Sequence, residues 1–314
     1  MTDPIPGDFH DSAYDGLLDH HTVMDDSQWA FGQDFEDPLA GVDTTIADGV
    51  DPTVLATYCL MLGDDALIHS HRLSQWCSNA PDLEDDIALA NVALDLLGQG
   101  RLLLARAAAA DPGVVPPLPD GSPVPPEDAL AFFRDQSGFR NVRLVEPDNG
   151  DFAETIARML VFASYRLAVL QRLASSVDPV LAAIAAKGVK EVTYHRDYAG
   201  RWFVTLAHGT QESRGRLVAG LAKVWPLYAE LFRGTEVEAT AAEQGFGVDP
   251  ATIADEVDAV LEQALSTGGL ERPPAPSVGS VAGGNGRDGR HTEAMGHLLD
   301  EMQVVARAHP RGRW

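Results

Sequence analysis

The chain has 314 residues, 45% of them hydrophobic, with a formal net charge of −24 at pH 7. That is enough apolar side chain for one large core or two smaller ones. The negative balance argues against nucleic acid or an anionic membrane surface as the main partner. Cys59 and Cys77 fall ~27 Å apart if they share one helix, beyond disulfide reach. Free thiols, no leader pattern and no apolar run of about 18 residues point to a cytoplasmic protein that spans no membrane.

Residues 1–50 carry twelve Asp and Glu and no Lys or Arg. They read as an acidic extension, disordered or loosely packed on the body. His10, His20 and His21 lie among these aspartates without the spacing of a metal site, so solvated loop histidines are the preferred reading. From 51 to 314 the pattern is helical. Asp51-Pro52 opens a first helix to about Trp76, a cap followed by proline at its first position.

The second helix, within Ala80–Ala110, starts with Asp82, Glu84, Asp85 and Asp86, the charge favoured at a helix N-terminus. Two apolar tracks follow: Leu83, Ile87, Ala90, Leu94, Leu97, and Leu89, Ala93, Leu96, Leu103. Two tracks predict a helix buried around most of its circumference, the centre of a bundle. Its remaining polar stripe holds Glu84, Asn91, Asp95, Gln99 and Arg106, within ~80° of one another. Such a stripe in a helical bundle is where a metal or ligand site is built. Gln99, however, is a poor metal ligand.

A proline-rich connection, 112–126, and a short helix near Pro126–Gln136 come next. A third long helix from about Asp151 to Val177 and a fourth from Asp178-Pro179 to about His208 carry clear apolar stripes. Shorter helices are predicted at about 211–232, 235–245, 250–266 and 291–308. The architecture is therefore all-α: a ferritin-like four-helix bundle with additional C-terminal helices.

Ferritin-like di-iron proteins need paired Glu-x-x-His motifs, whose two side chains share one inward face. The chain contains no Glu-x-x-His. His195 lies on the core stripe of the fourth helix, but Val192 stands three residues before it and Glu191 is rotated ~100° away. The bland reading is a satisfied core histidine within a structural polar network of Asn91, Asp95, Gln99, Glu191 and His195. Glu154 and Arg158 read as a surface ion pair, and Asp65 and His69 as a capping, solvent-facing set. The glycine-rich segment before His291 lacks the lysine and preceding strand of a phosphate loop. It reads as a loop that docks on a partner or covers a groove.

Four blocks in order carry a family resemblance: LGDDALIHSHRLSQWCSNAPDLEDDIALANVALDLLGQGRLLL, FRNVRLVEPDNGDFAETIARMLVF, IAAKGVKEVTYH and GRHTEAMGHLLDEMQ. From about Thr53 to Trp314 the chain resembles the PaaC family, the C subunits of the phenylacetyl-CoA epoxidase (ring 1,2-phenylacetyl-CoA monooxygenase). The resemblance implies a bacterial oxygenase complex of aerobic phenylacetate catabolism. In it a ferritin-like A subunit holds the di-iron centre and the C subunit is its metal-free structural partner. A small B subunit bridges such pairs, and a reductase component supplies electrons from NADPH.

Where the A subunit reads Asp-Glu-Ala-Gly-His-Gly, this chain has Leu96 and Gln99 at the ligand positions. The later Glu-x-x-His falls on Val192 and His195. Hence no catalytic residue and no bound cofactor are expected in this chain, with the di-iron in its partner. The alternative is a di-metal oxygenase with atypical ligands Asp95, Glu154, Glu191 and His195. Trp202, Phe203, Trp225, Tyr228 and Phe232 are candidates for an obligate apolar interface, or equally for internal core.

Overall fold

The computed structural model describes residues 39–274, 279 and 284–312. The three early histidines and most of the acidic extension lie outside them. Among the described residues there are nine α-helices and no β-strand: α1 Pro52–Ser74, α2 Leu83–Ala110, α3 Pro126–Phe132, α4 Phe152–Leu173, α5 Pro179–His208, α6 Gln211–Tyr228, α7 Glu236–Glu243, α8 Ala254–Thr267 and α9 Glu293–Ala308. The fold is the all-α, ferritin-like bundle.

Each bundle helix begins on an aspartate whose carboxylate accepts a backbone N–H of the first turn. Asp51 caps α1 at Thr53, Asp82 caps α2 at Asp85, Asp151 caps α4 at Glu154, and Asp178 caps α5 at Leu181. A cap of this kind contributes about 1 kcal/mol. The α1–α2 hairpin packs beside the α4–α5 hairpin, with α2 alongside α5. Of the shorter helices, α6 and α8 pack on α4, while α3 lies on α2 and α7 on α1. Gly220 of α6 lies against α4 so closely that a Cβ there would stand 2.7 Å from the Glu154 Cα.

The centre of the bundle is α4 and not α2. Every residue of α4 from Ala153 to Leu170 is buried, whereas on α2 only one of the two apolar tracks points inward. Leu89, Ala93, Leu96 and Leu103 are buried, but Leu83 is 69% exposed, Ile87 54%, Leu94 63% and Leu97 41%. The physical reason is position. An edge helix meets α1, α3 and α5, and among the described residues nothing covers its remaining side. The polar stripe splits for the same reason: Glu84 and Asn91 face solvent while Gln99 and Arg106 are buried.

Buried polar pairs clamp the C-terminal segment and the loop around 134–146 onto the bundle. Arg287 donates from Nη2 to Asp65 Oδ2 at 2.8 Å and from Nη1 to Asp65 Oδ1 at 3.0 Å. Arg143 Nε donates to Glu230 at 2.6 Å, Arg134 pairs with Asp64, and His291 Nδ1 meets Glu146 at 2.7 Å. Asp65 and His69 are thus interior residues, contrary to the solvent-facing expectation: loop 139–146 and the Arg287 turn close over Asp65, and His69 faces Phe162 of α4 inside the bundle. The described part of the glycine-rich segment covers its own bundle in this way. Glu154 and Arg158 are buried too, with Arg158 Nη2 3.4 Å from Glu154 and Lys223 Nζ 2.7 Å from it. Covering by α6 turns the expected surface pair into an interior one.

The candidate interface aromatics also belong to this chain's interior. Phe203, Trp225 and Tyr228 are buried. Trp202 lies edge-on to Phe152 at 5.0 Å and donates from Nε1 to Asp85 at 2.8 Å. Phe232 packs against Tyr228 at 5.0 Å and Tyr165 at 6.0 Å. Helices α4 and α8 supply the partners that sequence periodicity alone does not name.

Candidate functional site

The cluster at the middle of the bundle is built from α2, α4 and α5. Gln99 of α2 turns inward because Gly188 of α5 leaves it room. A Cβ at Gly188 would come within 3.4 Å of Gln99 Cδ and 3.0 Å of Leu170. Gln99 Nε2 donates to Glu191 Oε2 at 2.8 Å, and Arg166 Nε of α4 donates to Gln99 Oε1 at 2.8 Å. Arg166 also donates from Nη1 to the Leu62 carbonyl at 3.2 Å. One turn away, His195 Nε2 lies 3.0 Å from Asp95 Oδ2. Glu191 is 3.4 Å from Lys187 on its own helix. This relay of neutral amide, carboxylate and guanidinium ties three helices in one register.

Beside it lies a residual cavity of about 10 Å³, bordered by His69, Leu96, Phe162, Arg166, Val192 and His195. At that size it holds a single water at most. Burial lowers the Arg166 pKa to about 10, opposed by Asp65, so the guanidinium is still a cation at neutral pH. His69 is pushed well below the usual histidine range, first by burial and then by Arg158, His195 and Arg166. It is therefore a neutral ring, packed at a tilt of 56° against Phe162 with centroids 4.6 Å apart. Its Nδ1 and the Arg166 Nη2 have no hydrogen-bond partner among the described residues.

These residues do not fit a di-iron centre. Two hard cations require several charged oxygen ligands. The positions where the family resemblance puts paired ligands hold Leu96, Gln99 and Val192, with His195 bound to Asp95. A guanidinium inside the cluster repels any added cation. Among the described residues no three His, Cys, Asp or Glu converge on a metal-sized space. The atypical ligand set is not assembled either. Asp95, Glu191 and His195 are near one another, but Glu154 lies twelve residues from Arg166 along α4, about 18 Å. It is held there by Lys223 and Arg158. Asn91, expected in the polar network, is exposed and outside it.

Sequence reasoning overlooked Arg166 and placed His69 in solvent, although these two residues fill the middle of the cluster. The available signal was an arginine set inside the apolar run LVFASYRLAVL, where burial demands a partner. A second overlooked group is Asp85, buried on α2, whose Oδ1 accepts from both Tyr198 at 2.7 Å and Trp202 at 2.8 Å. Chemically the site offers a closed, charge-balanced interior with no open position for a reactant. Its arrangement holds helices together.

Comparison with known proteins identifies relatives of the chain. The C subunit of a 1,2-phenylacetyl-CoA epoxidase from Escherichia coli (strain K12) is 40% identical over 260 residues. The match covers 83% of this chain and 99% of that protein. The family model described as phenylacetic acid catabolic protein matches residues 43–314. The chain belongs to the phenylacetic acid catabolic protein family.

Proposed function

We propose that this chain is a non-catalytic structural subunit of a multicomponent phenylacetyl-CoA epoxidase. In aerobic phenylacetate catabolism it pairs with and supports a di-iron catalytic A subunit in the cytoplasm. A bridging B subunit and a transient reductase complete the assembly, and the chain itself binds no cofactor. The observation that carries this reading is the full-length likeness to an epoxidase C subunit, together with the Arg166–Gln99–Glu191 relay. An oxygenase subunit that must hold two irons has no use for a guanidinium among its ligands. A subunit whose task is to present a stable surface has every use for a rigid interior.

The test is co-expression with the A subunit, followed by metal analysis and oxygen-dependent turnover of each chain alone and of the pair. The expected result is iron and turnover that follow the A subunit, with full activity only in the pair. Stoichiometric iron held by this chain alone, or turnover without A, contradicts the proposal.

A further inference from the structure

His69 of α1 and Arg166 of α4 border one small cavity. Each keeps a buried nitrogen, Nδ1 of the imidazole and Nη2 of the guanidinium, without a partner among the described residues. The two residues are 2% and 3% exposed, so bulk solvent does not serve these atoms. Arg166 commits Nε to Gln99 and Nη1 to the Leu62 carbonyl, which leaves Nη2 free to bond elsewhere. An unpaired buried polar group is costly enough that native interiors almost always supply a partner, from the protein or from ordered water.

The two atoms are chemically complementary. A guanidinium has no acceptor, so Nη2 can only donate. A neutral imidazole carries one N–H and one bare nitrogen that accepts. A guest between them must therefore accept on one side and donate on the other, as water does. His195 is turned to Asp95 through Nε2, and Leu96, Met159, Phe162 and Val192 make the rest of the border largely apolar. The acceptor for that guest is then His69 Nδ1, which requires the ring proton of His69 to sit on Nε2. The cavity volume of about 10 Å³ is the room of one water. A metal ion is repelled by Arg166. An anion is disfavoured because Asp65 and Glu191 already counter the guanidinium, and a halide is larger than water.

We propose that this cavity is a structural water site, in which one water accepts from Arg166 Nη2 and donates to His69 Nδ1. The water gives α4 a second link to α1 beside the Arg166 bond to Leu62. Leu96, Val192 and His195 border it, so three of the four positions that align with paired metal ligands now enclose a neutral guest. The inference concerns this chain's own interior and does not depend on the proposed subunit role.

The test takes the purified full chain and reads three quantities. A high-resolution crystal structure of the wild type is expected to show a water peak within roughly 3.2 Å of both nitrogens. Nitrogen-15 shifts of the His69 ring, assigned by their loss in His69→Phe, are expected to report a bare Nδ1 and a protonated Nε2. Magnetic relaxation dispersion of water oxygen-17 counts long-lived internal waters, and Val192→Leu, which fills the cavity, is expected to lose one. Where Val192→Leu does not fold by circular dichroism, the two wild-type readouts decide. A cavity without density, a proton on Nδ1, or an equal water count in a folded Val192→Leu overturns the proposal. An anomalous peak at the site in crystals soaked with bromide overturns it in favour of an anion.

Discussion

Arg166 Nε and Gln99 Oε1 are joined at 2.8 Å in the middle of the bundle, a guanidinium of α4 donating to an amide of α2. The amide then donates onward to Glu191 of α5. Gln99 is thereby committed at both ends. The charge of Arg166 is balanced at a distance by Asp65 and Glu191.

Replacing Arg166 with Met removes the donor to Gln99 and to the Leu62 carbonyl. A charged hydrogen bond of this kind contributes about 1.5–3 kcal/mol. The expected cost is about 2–3 kcal/mol, a fall in melting temperature of roughly 5–10 °C. Thermal and urea unfolding of the variant check it.

Asp65→Asn removes the closer of the two buried carboxylates that face Arg287 and leaves the guanidinium only Glu238 at 3.7 Å, at an expected cost of about 2–4 kcal/mol. The triple change Asp65→Leu, Arg287→Met and Glu238→Gln removes the buried charges together and is expected to recover part of that loss. Hydrogen exchange provides a local readout. Backbone amides of Gly286 and Arg287, bonded to Glu230 and Asn285, should exchange faster in Asp65→Asn.

Acid should weaken the fold through its buried imidazoles. His69 is held neutral well below its ordinary pKa, and His71 is lowered to about 4 by burial and then by Arg72. In the unfolded chain both take up a proton near pH 6.5, so below that pH the unfolded state binds more protons. Stability is therefore complete above about pH 6.5 and falls as pH drops toward the folded values, with a slope of up to ~1.4 kcal/mol per unit for His69. His69→Phe should flatten the decline in melting temperature between about pH 7 and 5.

Gly220→Ala puts a methyl 2.7 Å from the Glu154 Cα and 3.0 Å from its amide nitrogen. Backbone cannot swing aside as a side chain can, so α6 must lift from α4. A loss of about 1–3 kcal/mol is expected, read by denaturant midpoint. The same change at exposed Gly215, where a Cβ meets nothing within 4 Å, should be neutral or mildly stabilising.

Helix positions were legible because their signals are local. Asp51-Pro52 and Asp178-Pro179 mark helix starts that the structure places at Pro52 and Pro179. The missing Glu-x-x-His was also legible, being a matter of spacing. What faces what was not. An apolar track looks the same whether it is buried, as Leu96 is, or meets water, as Leu94 does. Asp65 and Arg287 are 222 residues apart, and no periodicity reports a pair that distant. Arg166 was hidden in plain view, since α4 is enclosed on every side and leaves its charged members no stripe to stand out from.

That complete enclosure of α4 sets how this chain can evolve. A helix with water on one flank has positions where substitutions drift harmlessly, but from Ala153 to Leu170 there are none. Each replacement there must be answered by a neighbour on α1, α2, α5, α6 or α8. Among relatives, change in this segment should come in matched sets rather than one residue at a time.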